Sequence, residues 1–334
     1  MKYIEKKVWV VLLNWRNAPD TVECLESIVA AKDSAVAGVV VCDNASGDGS
    51  EVRIRSWLEN NASSFSEVKW SDGAFSSLRT AGCEASGGAI QFALVHTGAN
   101  LGFAGGNNVG IRYVQQSGGF DYLLLLNNDA LLTPGAVSRM VGRFDEGGQV
   151  GMCGCTVVYH HTPSQVQAYG GASYSPWVGR AAHIGAHFPV EEPRDAASVE
   201  ARLDYILGAA LMISRPCLER TGLMEESYFL YFEEIDWAIR AAREGFSLGY
   251  VPDAVVYHKE GGTIGSSSRK GARSHLSEYY LILNRLRFTL KFYPWFLPSV
   301  FAFTVLQCAR AVVSGDFPRL VVRLRAMFGL PLKT

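Results

Sequence analysis

The sequence predicts an α/β protein: a mostly parallel central sheet flanked by helices, with a C-terminal helical appendage. Three observations carry this. Short apolar or β-branched runs, Val8 to Leu13, Gly38 to Cys42, Ile90 to Val95 and, after Asp121, Tyr122 to Leu126, stop abruptly at polar residues. Runs of that length bounded by polar residues read as parallel strands buried on both faces. Strand, polar turn and helix also occur twice in the first 60 residues, the pattern of consecutive βα units. Finally, 48% of the 334 residues are hydrophobic, ample for one large domain plus an appendage.

In order along the chain, Val8 to Leu13 ends in Asn14, Trp15, Arg16 and Asn17, and Val22, Leu25, Ile28 and Val29 repeat at helical spacing. Gly38 to Cys42 ends in Asp43 and Asn44. Residues 60 to 88 are rich in Ser, Gly and Ala with little periodicity and read as a surface insertion. After the third strand, Asn100 to Gly110 is a glycine-rich turn opening a helix. Such glycines let backbone approach an anionic ligand at a helix N-terminus, or simply let the helix pack closely on the sheet. Val150 to Tyr159, Tyr205 to Ser214, Ser247 to Val251 and Val255 to His258 read as further strands, with a long polar and aromatic loop from Gly170 to Ala201.

Several strand ends carry chemistry. Asn127, Asn128 and Asp129 follow an apolar run, and parallel strands deliver polar side chains to a ligand crevice at their carboxyl ends. Divalent cations on phosphates favour one or two carboxylate ligands; the plainer alternative is that these residues cap a helix beginning at Thr133-Pro134-Gly135. Glu233, Glu234 and Asp236 fall within four positions, after an aromatic run and before a helical segment. Burial beside a cleft raises a carboxylate's proton affinity toward that of a general base. The alternatives are a helix-dipole preference and an ordinary Asp236–Arg240 pair. His258 ends a strand ahead of two glycines that suit a closing loop.

A net charge of −1 and a pI near 6.7 argue against nucleic-acid binding. Seven cysteines lack paired CxxC spacing and read as reduced core residues. The charged start, Met1 to Lys7, runs directly into a strand, so no secretory signal is read and the protein is expected in the cytoplasm. From Arg269 onward eleven Lys/Arg face two acids, leaving this tail about +9 and the rest about −10.

Taken in order, Val10 to Trp15, Val41 to Ser46, Asn100 to Asn108, Leu126 to Asp129, Phe229 to Asp236, Val251 to Ala254 and Tyr257-His258 resemble glycosyltransferase family 2 proteins of GT-A fold. The likeness is to the bacterial rhamnosyltransferase branch that builds cell-envelope polysaccharide, and it covers roughly Val8 to Gly262. It implies inverting transfer of a sugar, rhamnose favoured, from a nucleotide-diphosphate donor to a hydroxyl of a glycan or lipid-linked acceptor. Asp43 would read the nucleobase with Asn14 beside it, and Asn107 and Asn128 are grouped with them as donor-binding. Asp129 would hold the Mn2+ or Mg2+ that bridges the diphosphate, with His258 a second metal or phosphate contact. The base is expected at Glu234, where the family has an aspartate, or at Asp236; Asn127 likewise replaces the usual first acid of the metal motif. Aromatics of the 170 to 201 loop, Tyr174 and Trp177 among them, suit an acceptor sugar.

Two rival functions differ in chemistry. A sugar nucleotidyltransferase would carry a Gly- and Arg/Lys-rich loop after the first strand, which Asn14 to Asn17 do not supply. A catalytically inactive relative would bind nucleotide-sugar or glycan within a synthesis complex. The expected division is a GT-A domain over 1–265 and a helical segment over 266–334. In the latter, Phe292 to Val313 is apolar but interrupted by Pro294, Pro298, Gln307 and Arg310. It falls short of a spanning helix and reads as an interfacial helix or hairpin, giving peripheral membrane contact through 279–325; the alternative is a soluble helical subdomain packing on the catalytic core, or a homodimer contact.

Overall fold

The computed structural model describes residues 6–82, 89–191, 194–260 and 274–332. Strand β1 (Val8–Asn14) leads to helix α1 (Ala18–Ala31), and β2 (Val36–Asp43) to α2 (Ser50–Asn61). Next come β3 (Ser64–Ser71), β4 (Ala74–Gly82), β5 (Gln91–His96), α3 (Gly102–Ser117), β6 (Tyr122–Asn127), β7 (Ala130–Leu132) and α4 (Ala136–Asp145). The chain continues with β8 (Val150–Tyr159), β9 (Val166–Tyr169), β10 (Gly171–Ser175), β11 (Arg180–His183), α5 (Ala196–Glu200), β12 (Tyr205–Ile206) and β13 (Ala210–Ser214). After α6 (Arg215–Thr221), α7 (Glu233–Arg243) and β14 (Ser247–His258) it ends in α8 (His275–Phe292), α9 (Leu297–Val313) and α10 (Phe317–Met327).

The main sheet runs β4-β3-β5-β2-β1-β6-β13-β8-β14-β7, with β9 paired to β8. Strands β3, β5, β2, β1 and β6 are mutually parallel, so their carboxyl ends lie along one edge. Between their polar ends the inner strands β5, β2, β1 and β6 are apolar, because helices cover both sheet faces. Leu25 and Ile28 of α1, Leu58 of α2 and Met140 of α4 fill one face; Ile111 and Val114 of α3 and Trp237 of α7 fill the other. The six described cysteines are free and buried, as expected.

The structure corrects four expectations. Within the 60 to 88 stretch, of which 83–88 lie outside the described residues, β3 and β4 form an antiparallel hairpin that extends the sheet edge. Its inward positions include Glu67, held by a bidentate Arg55 and by His96, so a buried charge interrupts the apolar alternation. Within the 170 to 201 segment, β10 and β11 join β12 in a separate three-stranded sheet and α5 follows them. Tyr205 to Ser214 is thereby split between the two sheets. Finally, Pro294–Val313 is long and apolar enough to cross a bilayer by length and composition. Pro294 and Pro298 begin helical segments, where a missing N–H leaves no bond broken.

The boundary expected at 265/266, the glycines 261–262 and Ser266 to Ser268 lie outside the described residues. Helix α8 is built into the main body: Phe288 is wholly buried in a cluster with Tyr228 and Ile235, against Tyr174, Tyr205 and Phe232. Helices α9 and α10 pack on α8 and leave an apolar outer face, with Trp295 92% and Val313 89% exposed.

Candidate functional site

A cavity of about 430 Å³ opens at the carboxyl ends of β1 and β6, walled also by the start of α3, the turn before α7, β11 and α8. Its lining includes Asn107, Asn127, Asn128, Asp129, Glu233, Glu234 and His258. Residues distant in sequence meet here because β14 runs antiparallel to β7, setting His258 opposite Ala130, next to Asp129. Nε2 of His258 lies 3.1 Å from Asp129 Oδ1. Its Nδ1–H donates to Gln167 Oε1 at 2.8 Å. In a neutral ring this fixes the tautomer and leaves the Nε2 lone pair beside the Asp129 carboxylate.

That donor set fits a divalent cation. A carboxylate and an imidazole nitrogen held by an amide oxygen behind it form a ligand pair, and a phosphate-bridging cation takes its remaining positions from phosphate oxygens and water. Among the described residues no cluster of three His, Cys, Asp or Glu exists, so the protein alone would supply only part of the coordination.

A hydrogen-bond chain ties three strand ends together. Asn128 Nδ2 donates to Thr21 Oγ1 at 2.9 Å, Thr21 donates to Asn14 Oδ1 at 2.8 Å, and Asn14 Nδ2 donates to Asp43 Oδ1 at 2.9 Å. Ser46 Oγ also donates to Asp43 Oδ1, at 2.5 Å. Asn14 and Asp43 are buried behind the cavity wall, and their chain neighbours Trp15 and Asn44 line it instead. Asn107 lines the cavity while donating to the Phe103 carbonyl. The neighbouring glycines serve packing: a Cβ on Gly106 would sit 2.4 Å from Leu13, and one on Gly110 2.5 Å from Val11.

The acids divide by environment. Helix α7 opens with Glu233, Glu234 and Asp236 in its first turn, where the helix dipole favours negative charge. Glu234 lines the cavity, and desolvation pushes its carboxyl from 4.5 up to about 7. Glu233 is raised well above the carboxylate range, by burial first and then by Glu234. Asp236 is fully buried, 2.6 Å from Lys291 and 2.7 Å from Arg240, and accepts from the Tyr228 hydroxyl at 3.1 Å. The ordinary i,i+4 pair therefore forms, and Asp236 is absent from the cavity lining. Asp236→Ala should lower unfolding free energy by about 1–3 kcal/mol, since it leaves the buried Tyr228 hydroxyl without its acceptor; urea denaturation checks this.

The turn carrying these acids is strained. Phe229, Tyr231 and Phe232 adopt φ of 63°, 68° and 77°, each costing about 1–3 kcal/mol for a bulky residue. Gly102, at φ 72°, lets α3 start against it; a Cβ there would lie 2.2 Å from the Phe229 oxygen. The Phe103 N–H donates to that oxygen at 2.6 Å. Thr21, Gln167, Gly208 and Arg285, the last lining the cavity from α8, carry no local signal in the sequence. Gly208 packs so closely that a Cβ would lie 2.4 Å from Glu234 Oε1. Only contact across the fold reveals these roles.

Residues 6–275 match the sequence profile described as Glycosyltransferase like family 2. The chain belongs to this family. Relatives include the Mycobacterium tuberculosis N-acetylglucosaminyl-diphospho-decaprenol L-rhamnosyltransferase, 25% identical over 207 residues, which covers 57% of this chain and 66% of that protein. A low-salt glycan biosynthesis hexosyltransferase of Haloferax volcanii is 26% identical over 180 residues, 48% of this chain and 50% of its own length. The matches thus span between half and two thirds of these relatives. A mannosyltransferase from Pyrobaculum calidifontis, solved with GDP-Man and Mn2+, superposes with a TM-score of 0.53 at 16% identity, covering 97% of this chain and 86% of that one. The fold of this family-2 chain is accordingly GT-A, as its sequence predicts.

Proposed function

We propose that the protein is an inverting, metal-dependent glycosyltransferase that moves a sugar, rhamnose in preference, from a nucleoside-diphosphate donor to a hydroxyl of a glycan or lipid-linked acceptor in cell-surface polysaccharide synthesis. The observation that carries the reading is one cavity holding both the Asp129–His258 pair and a cavity-facing carboxylate raised to about 7. Asp129 and His258 hold the diphosphate end of the donor, with Asn128 and Asn107 beside it and Asn14 and Asp43 bracing the wall from behind. A divalent cation bound there would neutralise diphosphate charge and improve the leaving group. Glu234 takes the proton from the acceptor hydroxyl as its oxygen attacks the anomeric carbon. The carbon–oxygen bond to the diphosphate breaks with its electron pair going to the leaving group, and a single displacement inverts the configuration. Burial favours the protonated form of the adjacent Glu233, which limits a second charge next to that base.

A thermal-shift screen of nucleoside diphosphates and their sugars, with and without Mn2+ or Mg2+, tests donor and metal together. One nucleotide should raise the melting temperature only when metal is present. No shift with any nucleotide removes the donor reading.

We also propose that the outer face of α9 rests on the membrane that carries the acceptor. Phe301, Val305, Leu306 and Val312 are exposed along one side of this helix, with Trp295 at its start. An apolar face turned outward suits the headgroup boundary. Replacing Phe301 and Val305 together by Glu should weaken binding to anionic vesicles at least ~10-fold at low salt, because each loses burial of a large apolar side chain. Co-sedimentation reads this, and a wild-type protein that ignores such vesicles transfers the face to a dimer contact.

A further inference from the structure

We infer that Asn284 of α8 is a positioning residue for the proposed base, and that α8 is therefore part of the catalytic machinery; this rests on the reading of Glu234 above. Asn284 is fully buried. Its Nδ2 lies 2.6 Å from the Tyr228 carbonyl, 2.8 Å from that of Leu230 and 3.4 Å from that of Tyr231. These are carbonyls of the turn whose left-handed residues Phe229, Tyr231 and Phe232 run directly into Glu233 and Glu234. A strained turn persists only where its surroundings over-determine it, and the side-chain amide of α8 supplies donors to the inner side of this one. The other side is held by α3 through the Phe103 N–H on the Phe229 carbonyl.

The rest of α8 repeats the grip. Tyr280 stacks on Phe229 with ring centroids 4.8 Å apart. Tyr231 donates to Ser277 at 3.1 Å, and Arg287 donates to the Ser227 carbonyl at 3.2 Å. A helix that grips this turn and the residue before it through four of its residues fixes where the first residues of α7 point. Base catalysis is sensitive to such placement, since a displacement of about 1 Å costs about 10²-fold.

Asn284→Leu retains bulk and removes both amide donors. Its kcat for sugar transfer should fall about 10- to 100-fold with donor KM within about twofold. The acid limb of its pH profile, expected near 7 in the wild type, should move to lower pH as the relaxed turn admits water to the carboxylate. Tyr280→Leu, outside the cavity lining, should move kcat and the limb in the same direction and serves if the first variant does not fold. A fall in melting temperature with an unmoved limb assigns Asn284 to stability alone and overturns the inference. Glu234→Gln measured in parallel separates the two claims. Full turnover there removes the base and this assignment with it, whereas lost turnover there beside wild-type kcat and limb in the α8 variants removes the assignment only.

Discussion

Glu234→Gln should lower turnover by at least ~10²-fold with donor affinity nearly unchanged, the usual size of a general-base contribution. Glutamine fills the same space against Gly208 but accepts no proton. The proposed base works ionised, so kcat/KM should rise with pH through the range near 7, where burial has moved this carboxyl. Asp236→Asn should leave that limb in place and act on stability, because the lost charge faces Lys291 and Arg240, not the cavity. Glu234→Asp tests geometry: retained turnover means the pocket tolerates the shorter acid, and lost turnover means Gly208 and the turn are set for the longer one.

The same shift fixes the sign of a stability effect. Because the folded carboxyl holds its proton up to about 7 against an ordinary 4.5, the neutral form's contribution is complete below the lower value and is lost as pH rises through the upper one. Glu234→Gln should therefore melt above the wild type at about pH 8 and level with it at about pH 4. A gain in stability paired with a loss of turnover is the signature of a buried functional acid, and differential scanning calorimetry across pH reads it.

Asp129→Ala should abolish metal-dependent nucleotide binding, weakening it by at least ~10²-fold while the fold persists. Asp129 lies between the end of β6 and β7, so the inner strands' packing does not depend on it. His258→Ala should cost less, because a carboxylate contributes charge as well as a ligand atom to a hard cation. Gln167→Ala, which frees the His258 ring from its amide partner, should lie between wild type and His258→Ala. Isothermal titration of nucleoside diphosphate with and without Mn2+ ranks the three. An Asp129→Ala protein that keeps its manganese-dependent affinity would move the metal elsewhere.

Much of this was readable from residues alone where local pattern and burial agree. Val8 to Leu13 and Tyr122 to Leu126 are apolar on both faces, and their polar ends mark the crevice because a parallel sheet aligns its carboxyl ends. The β3–β4 hairpin was not readable, since Glu67 occupies an inward position through Arg55 and His96 and breaks the alternation. Choosing between Glu234 and Asp236 was also beyond sequence. Two positions along a helix rotate a side chain by about 200°, and only the tertiary fold says which direction holds a cavity. The prolines of the tail mislead when read from sequence, because Pro294 and Pro298 open helical segments, where they break nothing. Asn284 carries no local signal, as its function is to satisfy carbonyls more than fifty residues earlier in the chain.

The central claim is that this cavity breaks the bond between a sugar and a nucleoside diphosphate with Glu234 as base. The most direct measurement is release of nucleoside diphosphate from a panel of activated sugars, deoxythymidine-diphosphate rhamnose included, with a membrane-extracted acceptor and Mn2+ or Mg2+, by wild type and Glu234→Gln side by side. Metal-dependent release from one donor by the wild type, a product of inverted anomeric configuration, and release from the Gln variant lower by at least ~10²-fold are expected. Equal release by the two proteins, or a product of retained configuration, would contradict it.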